Sequence, residues 1–138
     1  MKLLFLLLTI TAGIASTTPP KMTISVKNIK AKKGNLIIAV FNENGDFLKE
    51  GAAVKTYTVK VDDLTETLII NDLPKGNYAI SMYHDENSDG KCNRNFLGIP
   101  KEGYAFSNNF KPKLSAPDFE DCEFSFTSDA KMEISLIH

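Results

Sequence analysis

A two-residue alternation of apolar and polar side chains, recurring in short bursts between turn residues, constrains this chain more than any other feature. Met22, Ile24 and Val26 alternate with Thr23, Ser25 and Lys27, the pattern of a strand with one buried face. Gly34-Asn35 then opens a more continuously apolar run, Leu36 to Phe41, and Asn44-Gly45 closes it; a central strand fits that run. Tyr57, Val59 and Val61 alternate next and stop at Asp62-Asp63, and Leu68 to Ile70 form another short strand. Beyond the turn Asn71 to Gly76, the alternation resumes at Tyr78, Ile80 and Met82. It returns at Cys122, Phe124 and Phe126, and again at Met132, Ile134 and Leu136. A helical period lasts no more than a turn or so, around Phe47 to Ala53.

About seven strands at this spacing predict an all-β domain, an antiparallel β-sandwich of immunoglobulin or transthyretin (prealbumin) type. The phrase Leu73-Pro74-x-Gly76-x-Tyr78 resembles one found in transthyretin-like modules, where a turn launches a strand whose tyrosine packs into the core. The stretch 87–121 breaks the strand rhythm, and holding it in shape takes something beyond sheet pairing.

Residues 1–15 read as a secretory signal. Lys2 gives the positive start, Leu3 to Ile10 the apolar stretch, and Gly13-Ile14-Ala15 a small-x-small cleavage site. The apolar run falls short of the roughly 20 residues of a membrane span, and no later segment reaches that length. A retained N-terminal anchor is the bland alternative. Cleavage leaves one domain, 16–138, and the loss of Lys2 takes the formal charge from −1 to −2. Without a concentrated basic patch, nucleic acid is not an expected partner. The expected location is the periplasm, the cell envelope or the medium.

Both cysteines, Cys92 and Cys122, survive cleavage. In an exported protein an even count permits one bridge, and a Cys92–Cys122 disulfide is expected here, against the alternative of two free thiols.

The segment Asp85 to Asn95 carries the chemistry. Asp85, Asn87 and Asp89 stand at positions one, three and five of a calcium loop, with Gly90 at the sharp turn. Lys91 would offer its backbone carbonyl, and Asn93 would act directly or through water. Calcium takes six to eight oxygens, and a tightly coiled backbone turns alternate side chains inward to supply them. Phe96 occupies the place of the bidentate glutamate, so a last carboxylate must come from elsewhere: Glu102, Asp118, Glu120 or Asp121. With two sure charged ligands, the expected affinity for a structural Ca²⁺ is modest, about 10⁻⁴–10⁻³ M. The competing reading is a polar loop whose Asp and Asn side chains cap its own backbone.

The run His84-Asp85-x-Asn87-x-Asp89-Gly90-Lys91, followed by Asn95-x-x-Gly98-x-Pro100-x-Glu102-Gly103-Tyr104-x-Phe106-Ser107-Asn108-Asn109, resembles an uncharacterised family of exported or envelope bacterial proteins, domain of unknown function 2141 (DUF2141). The resemblance implies a β-sandwich with an acidic loop over nearly the whole mature chain, and it implies no activity. It also implies an aspartate at the place of Asn93, a charge this chain lacks, and ordinary residues at the places of Cys92 and Cys122. Two coincident cysteines in one chain support their pairing.

An enzymatic alternative centres on His84, Asp85 and Glu102 as a hydrolytic or metal-dependent group. Against it, a strand-end histidine more simply holds the loop by a hydrogen bond, and Ser107 has no evident base. Phe96, Tyr104 and Phe106 form a candidate binding face for a glycan, peptide or envelope protein; alternatively these rings plug the open end of the sandwich. The sequence thus points to an exported, non-catalytic module.

Overall fold

A computed structural model of the chain describes residues 18–138; the expected signal and its cleavage site at Ala15 lie outside the described residues. Eight strands follow in order: β1 Met22–Lys27, β2 Asn35–Asn42, β3 Lys55–Lys60, β4 Glu66–Ile70, β5 Gly76–Asp85, β6 Tyr104–Phe106, β7 Phe124–Phe126 and β8 Ala130–Ser135. A 3-10 turn, Ser107–Asn109, and a single helical turn α1, Phe119–Cys122, lie between β6 and β7. The five runs from Met22 to Met82 read as strands, together with Met132–Leu136, correspond to β1 to β5 and β8.

The strands form two sheets. One has the order β4-β1-β8; the other runs β3-β2-β5-β6, with β7 also paired to β5. Strand β5 is long enough to carry two partners on one edge, β7 against Gly76–Tyr78 and β6 against Ser81–Tyr83. The pairing is antiparallel except between β1 and β8, which run parallel, a departure from the expected all-antiparallel sheets.

Alternation decides what each strand buries. Met22, Ile24 and Val26 of β1 meet Leu36, Ile38 and Val40 of β2 and Tyr78, Ile80 and Met82 of β5 in one core between the sheets, closed by Phe126 and Ile134. Sharing this core makes the two sheets a sandwich. Tyr78 also donates its hydroxyl to the carbonyl of Pro74 at 2.7 Å, so the Leu73-to-Tyr78 phrase closes as a tyrosine corner.

A second apolar cluster covers the outer face of β5: Ala79, Phe106 and Cys122 are buried there, with Phe47, Leu48, Tyr104, Phe110 and Phe119 packed around them. Phe47 to Ala53, where a helical period lasts no more than a turn or so, forms a series of turns, with Leu48 and Gly51 at positive φ of 65° and 78°. One expectation fails in this layer. The strand expected from Cys122 starts only at Phe124, since Cys122 ends α1, whose N-terminus is fixed by a capping box between Asp118 and Asp121.

The expected disulfide is also corrected: Cys92 and Cys122 are both free. Cys122 packs by Ala79 near the start of β5, whereas Cys92 belongs to the loop that leaves the far end of that strand after Asp85. Six residues of strand separate Ala79 from Asp85, about 20 Å, while a disulfide needs Cα atoms within about 7 Å.

Candidate functional site

The 85–103 loop is built from the end of β5. His84 is the last residue of β5 on the core face, in line with Tyr78, Ile80 and Met82, and its ring is fully buried. Its Nε2 lies 2.7 Å from the carbonyl of Lys33, to which it donates, and its amide donates to Gly103 across the base of the loop. Nδ1 has no hydrogen-bond partner; Glu86 Oε1 stands 3.8 Å away. Gly34 makes the close approach beside it possible: a Cβ there would lie 2.0 Å from the carbonyl oxygen of Asp85, and φ is +68°.

Asp85 begins the turn, almost fully buried. Its Oδ1 accepts the amide of Asp89 at 3.2 Å and its Oδ2 that of Gly90 at 2.9 Å, coiling 85–90 into one turn. Asn87 Oδ1 also accepts the Asp89 amide, at 3.3 Å. Asp89 Oδ1 accepts the amide of Lys91, and its Oδ2 accepts the side-chain amides of Asn87 at 3.1 Å and Asn93 at 3.0 Å. The Asn93 amide, followed by the backbone N–H of Lys91, holds the Asp89 carboxyl below the usual aspartate range. Asp85, Asn87, Asp89 and Asn93 are therefore brought together, and Lys91 joins them through its backbone.

Glu102 is placed differently. Its Oε1 accepts the amide of Glu86 at 3.2 Å and its Oε2 that of Asn93 at 3.3 Å, so it straps the two limbs of the loop from behind. Asp118, Glu120 and Asp121 sit on or beside α1, which packs against β5 and the 3-10 turn near Ala79, away from this loop. Among the described residues, no three His, Cys, Asp or Glu side chains stand together as a metal-holding group. The acidic charge in the turn comes from Asp85 and Asp89, with neutral amides beside them. His84 and Asp85 are successive strand residues and point to opposite faces, which keeps that pair apart.

Cys92 is half-buried between the turn and the strap. Burial first, and then the charge of Glu102, push its thiol up, with Arg94 opposing. Burial, with Asp121 adding to it, pushes the Cys122 thiol up to about 12. Both thiols are thus protonated at neutral pH.

Of the three aromatic residues expected as a face, Tyr104 and Phe106 pack into the second cluster with ring centroids 6.0 Å apart. Phe96 stands apart at the loop tip, 96% exposed. Ser107 is fully buried and structural: its hydroxyl accepts the amide of Ile80 at 2.9 Å and donates to the carbonyl of Cys122.

Sequence reasoning gave Asn95 no role, yet its side chain organises the tip. Asn95 Oδ1 accepts the amides of Leu97 and Ile99 at 2.9 and 3.1 Å, and Gly98 turns the chain at φ +79°. The Asn95-x-x-Gly98 spacing was the available signal.

Fold and loop together define a β-sandwich with an Asp/Asn turn, strapped by a glutamate, at the far end of its longest strand. Residues 24–135 match the family described as an uncharacterized protein conserved in bacteria (DUF2141), and the chain belongs to that family. Neither the curated proteins nor the solved structures contain a match to it. Among the described residues, no helix is long and apolar enough to cross a membrane.

Proposed function

We propose that the chain is an exported, non-catalytic module whose 85–93 turn takes calcium as a structural ion, ordering the loop end for an envelope partner. The observation that carries this reading is the convergence of Asp85, Asn87 and Asp89 on one turn. Direct hydrogen bonds link their side chains and amides. Asp85 Oδ1, Asp85 Oδ2 and Asp89 Oδ1 each accept a single N–H and so keep a lone pair for a cation, whereas Asp89 Oδ2 already accepts two side-chain amides. Two carboxylates give the modest affinity typical of extracellular modules, about 10⁻⁴–10⁻³ M. The hydrolytic or metal-dependent alternative has less support, because the His84 ring is fully buried and both Glu102 oxygens accept backbone amides.

The test is thermal unfolding of the domain from Ser16 onward in EDTA, in millimolar calcium and in magnesium. A calcium-specific rise in Tm, absent in Asp89→Ala, is the expected outcome. No rise, or an equal rise in the variant, removes calcium and leaves a self-capped turn.

A further inference from the structure

Beyond the turn, the loop ends in an exposed apolar tip held by its own hydrogen bonds. Arg94 and Pro100 form an antiparallel bridge, the Lys101 amide donates to Asn93, and the Asn95 amide donates to Ile99. At the end of this small hairpin Phe96, Leu97 and Ile99 are 96%, 68% and 49% exposed, and none belongs to either apolar cluster. Exposed large apolar side chains gathered on one turn are costly in water and mark an interaction surface.

We propose that this tip inserts into the surface of an anionic lipid bilayer. Three features select that occupant. The tip is a projecting turn rather than a groove, suited to entering an interface and not to enclosing a ligand. Its amides are satisfied from within, that of Phe96 excepted. The amides of Asn95, Leu97, Gly98 and Ile99 all have partners in the tip, and Arg94 Nη1 donates to the carbonyl of Gly98 at 2.9 Å. Apolar surroundings demand such internal pairing, because an unpaired peptide group there is expensive. Finally, the segment from Lys91 to Lys101 holds three cations, Lys91, Arg94 and Lys101, all exposed, and no acidic residue.

Cations on the limbs of an apolar tip match lipid headgroups above an acyl layer. The acidic groups at the root do not cancel this charge. Asp85 and Glu102 are buried on backbone amides, and Glu86 pairs with Lys33 at 3.4 Å. Asp89 is the open one, and it is held by the Asn87 and Asn93 amides. The insertion does not rest on calcium, since the tip residues and their hydrogen bonds need no cation.

The test is co-sedimentation of the domain from Ser16 onward with phosphatidylcholine vesicles, with and without phosphatidylglycerol, in EDTA. Binding to the phosphatidylglycerol vesicles is expected. Phe96→Ser/Leu97→Ser should lower it by more than about tenfold per side chain, because burying each is worth more than a tenfold step in affinity. Lys91→Gln/Lys101→Gln should cost about fivefold per charge removed. Exposed positions leave the fold intact, which an unchanged Tm verifies, and Leu114→Ser, at a fully exposed leucine outside the tip, should leave binding unchanged. The proposal is overturned by no sedimentation with either vesicle, by equal sedimentation with both, or by a loss in Leu114→Ser as large as in the tip variant. Tip-dependent self-association in the absence of vesicle binding would assign the tip to a second copy of this chain and overturn it as well.

Discussion

The two ends of β5 are held by opposite means. Near its start, Tyr78, Ala79 and Ile80 are buried on both faces of the sheet, between the sandwich core and the aromatic layer of Phe47, Phe106 and Phe119. At its finish, His84 and Asp85 are equally buried, but polar groups hold them: a backbone carbonyl for the ring and two backbone amides for the carboxylate. Apolar burial is non-directional and survives small shifts, whereas these hydrogen bonds depend on position. The first end therefore supplies stability, and the second fixes the loop in one shape. Conformation fixed by a few polar contacts is also what a cation or a membrane surface can bias.

Variants on either side measure this contrast. Phe126→Ala at the first end should cost most, about 3–5 kcal/mol in denaturant unfolding, because a fully buried ring leaves a cavity. Gly34→Ala tests the junction. A left-handed backbone costs an L-residue about 1–2 kcal/mol, and overlap with the Asp85 carbonyl brings the expected total to about 3 kcal/mol. Its distinguishing readout is amide exchange, which should rise first at Glu86 to Asn93. A uniform rise over the whole domain would mean that the loop is not separately held. Glu102→Ala should cost less, about 2 kcal/mol, by leaving the Glu86 and Asn93 amides without their acceptor. Full native loop protection in that variant would show that Glu102 is no strap.

These residues also mark how far the sequence could be read. Strands β1 to β5 and β8 were legible because each has a face in the shared core, read as alternation in β1, β3, β5 and β8 and as short apolar runs in β2 and β4. The three residues of β6 were not: Tyr104-Ala105-Phe106 is too short to show a period, and its neighbours carry turn signals. Cys122 misled, since its spacing to Phe124 and Phe126 is that of a strand, while it is the last residue of a helical turn that the Asp118–Asp121 capping box starts. An even cysteine count carries no distance, so it could not reveal that the two thiols sit at opposite ends of β5. In the loop, alternate Asp and Asn residues around Gly90 announced the turn that gathers them. Glu102 was legible as a loop carboxylate but not as a backbone strap, because its partners come from both limbs of the loop. Gly34 depends on a contact with the far end of β5, which no local pattern encodes.

The smallest expected effect belongs to Asp89, and it separates the polar end of β5 from the apolar one by pH. Its carboxyl is held below the usual range, first by the Asn93 side-chain amide and then by the Lys91 amide. A depressed folded-state value means that the unfolded chain binds the proton more readily. The stabilisation is therefore complete above the ordinary aspartate value of about 3.9 and is lost as pH falls through the lower folded value. Asp89→Asn removes the titration while keeping an oxygen acceptor. The Tm difference between the two proteins should be constant near neutral pH and should shrink below about pH 4. Asp89 is fully exposed, so the difference should also narrow with added salt, which leaves the Phe126 effect unchanged. A difference that persists through strong acid would show that Asp89 acts in the turn by shape and not by charge, and the case for a cation there would lose its electrostatic basis.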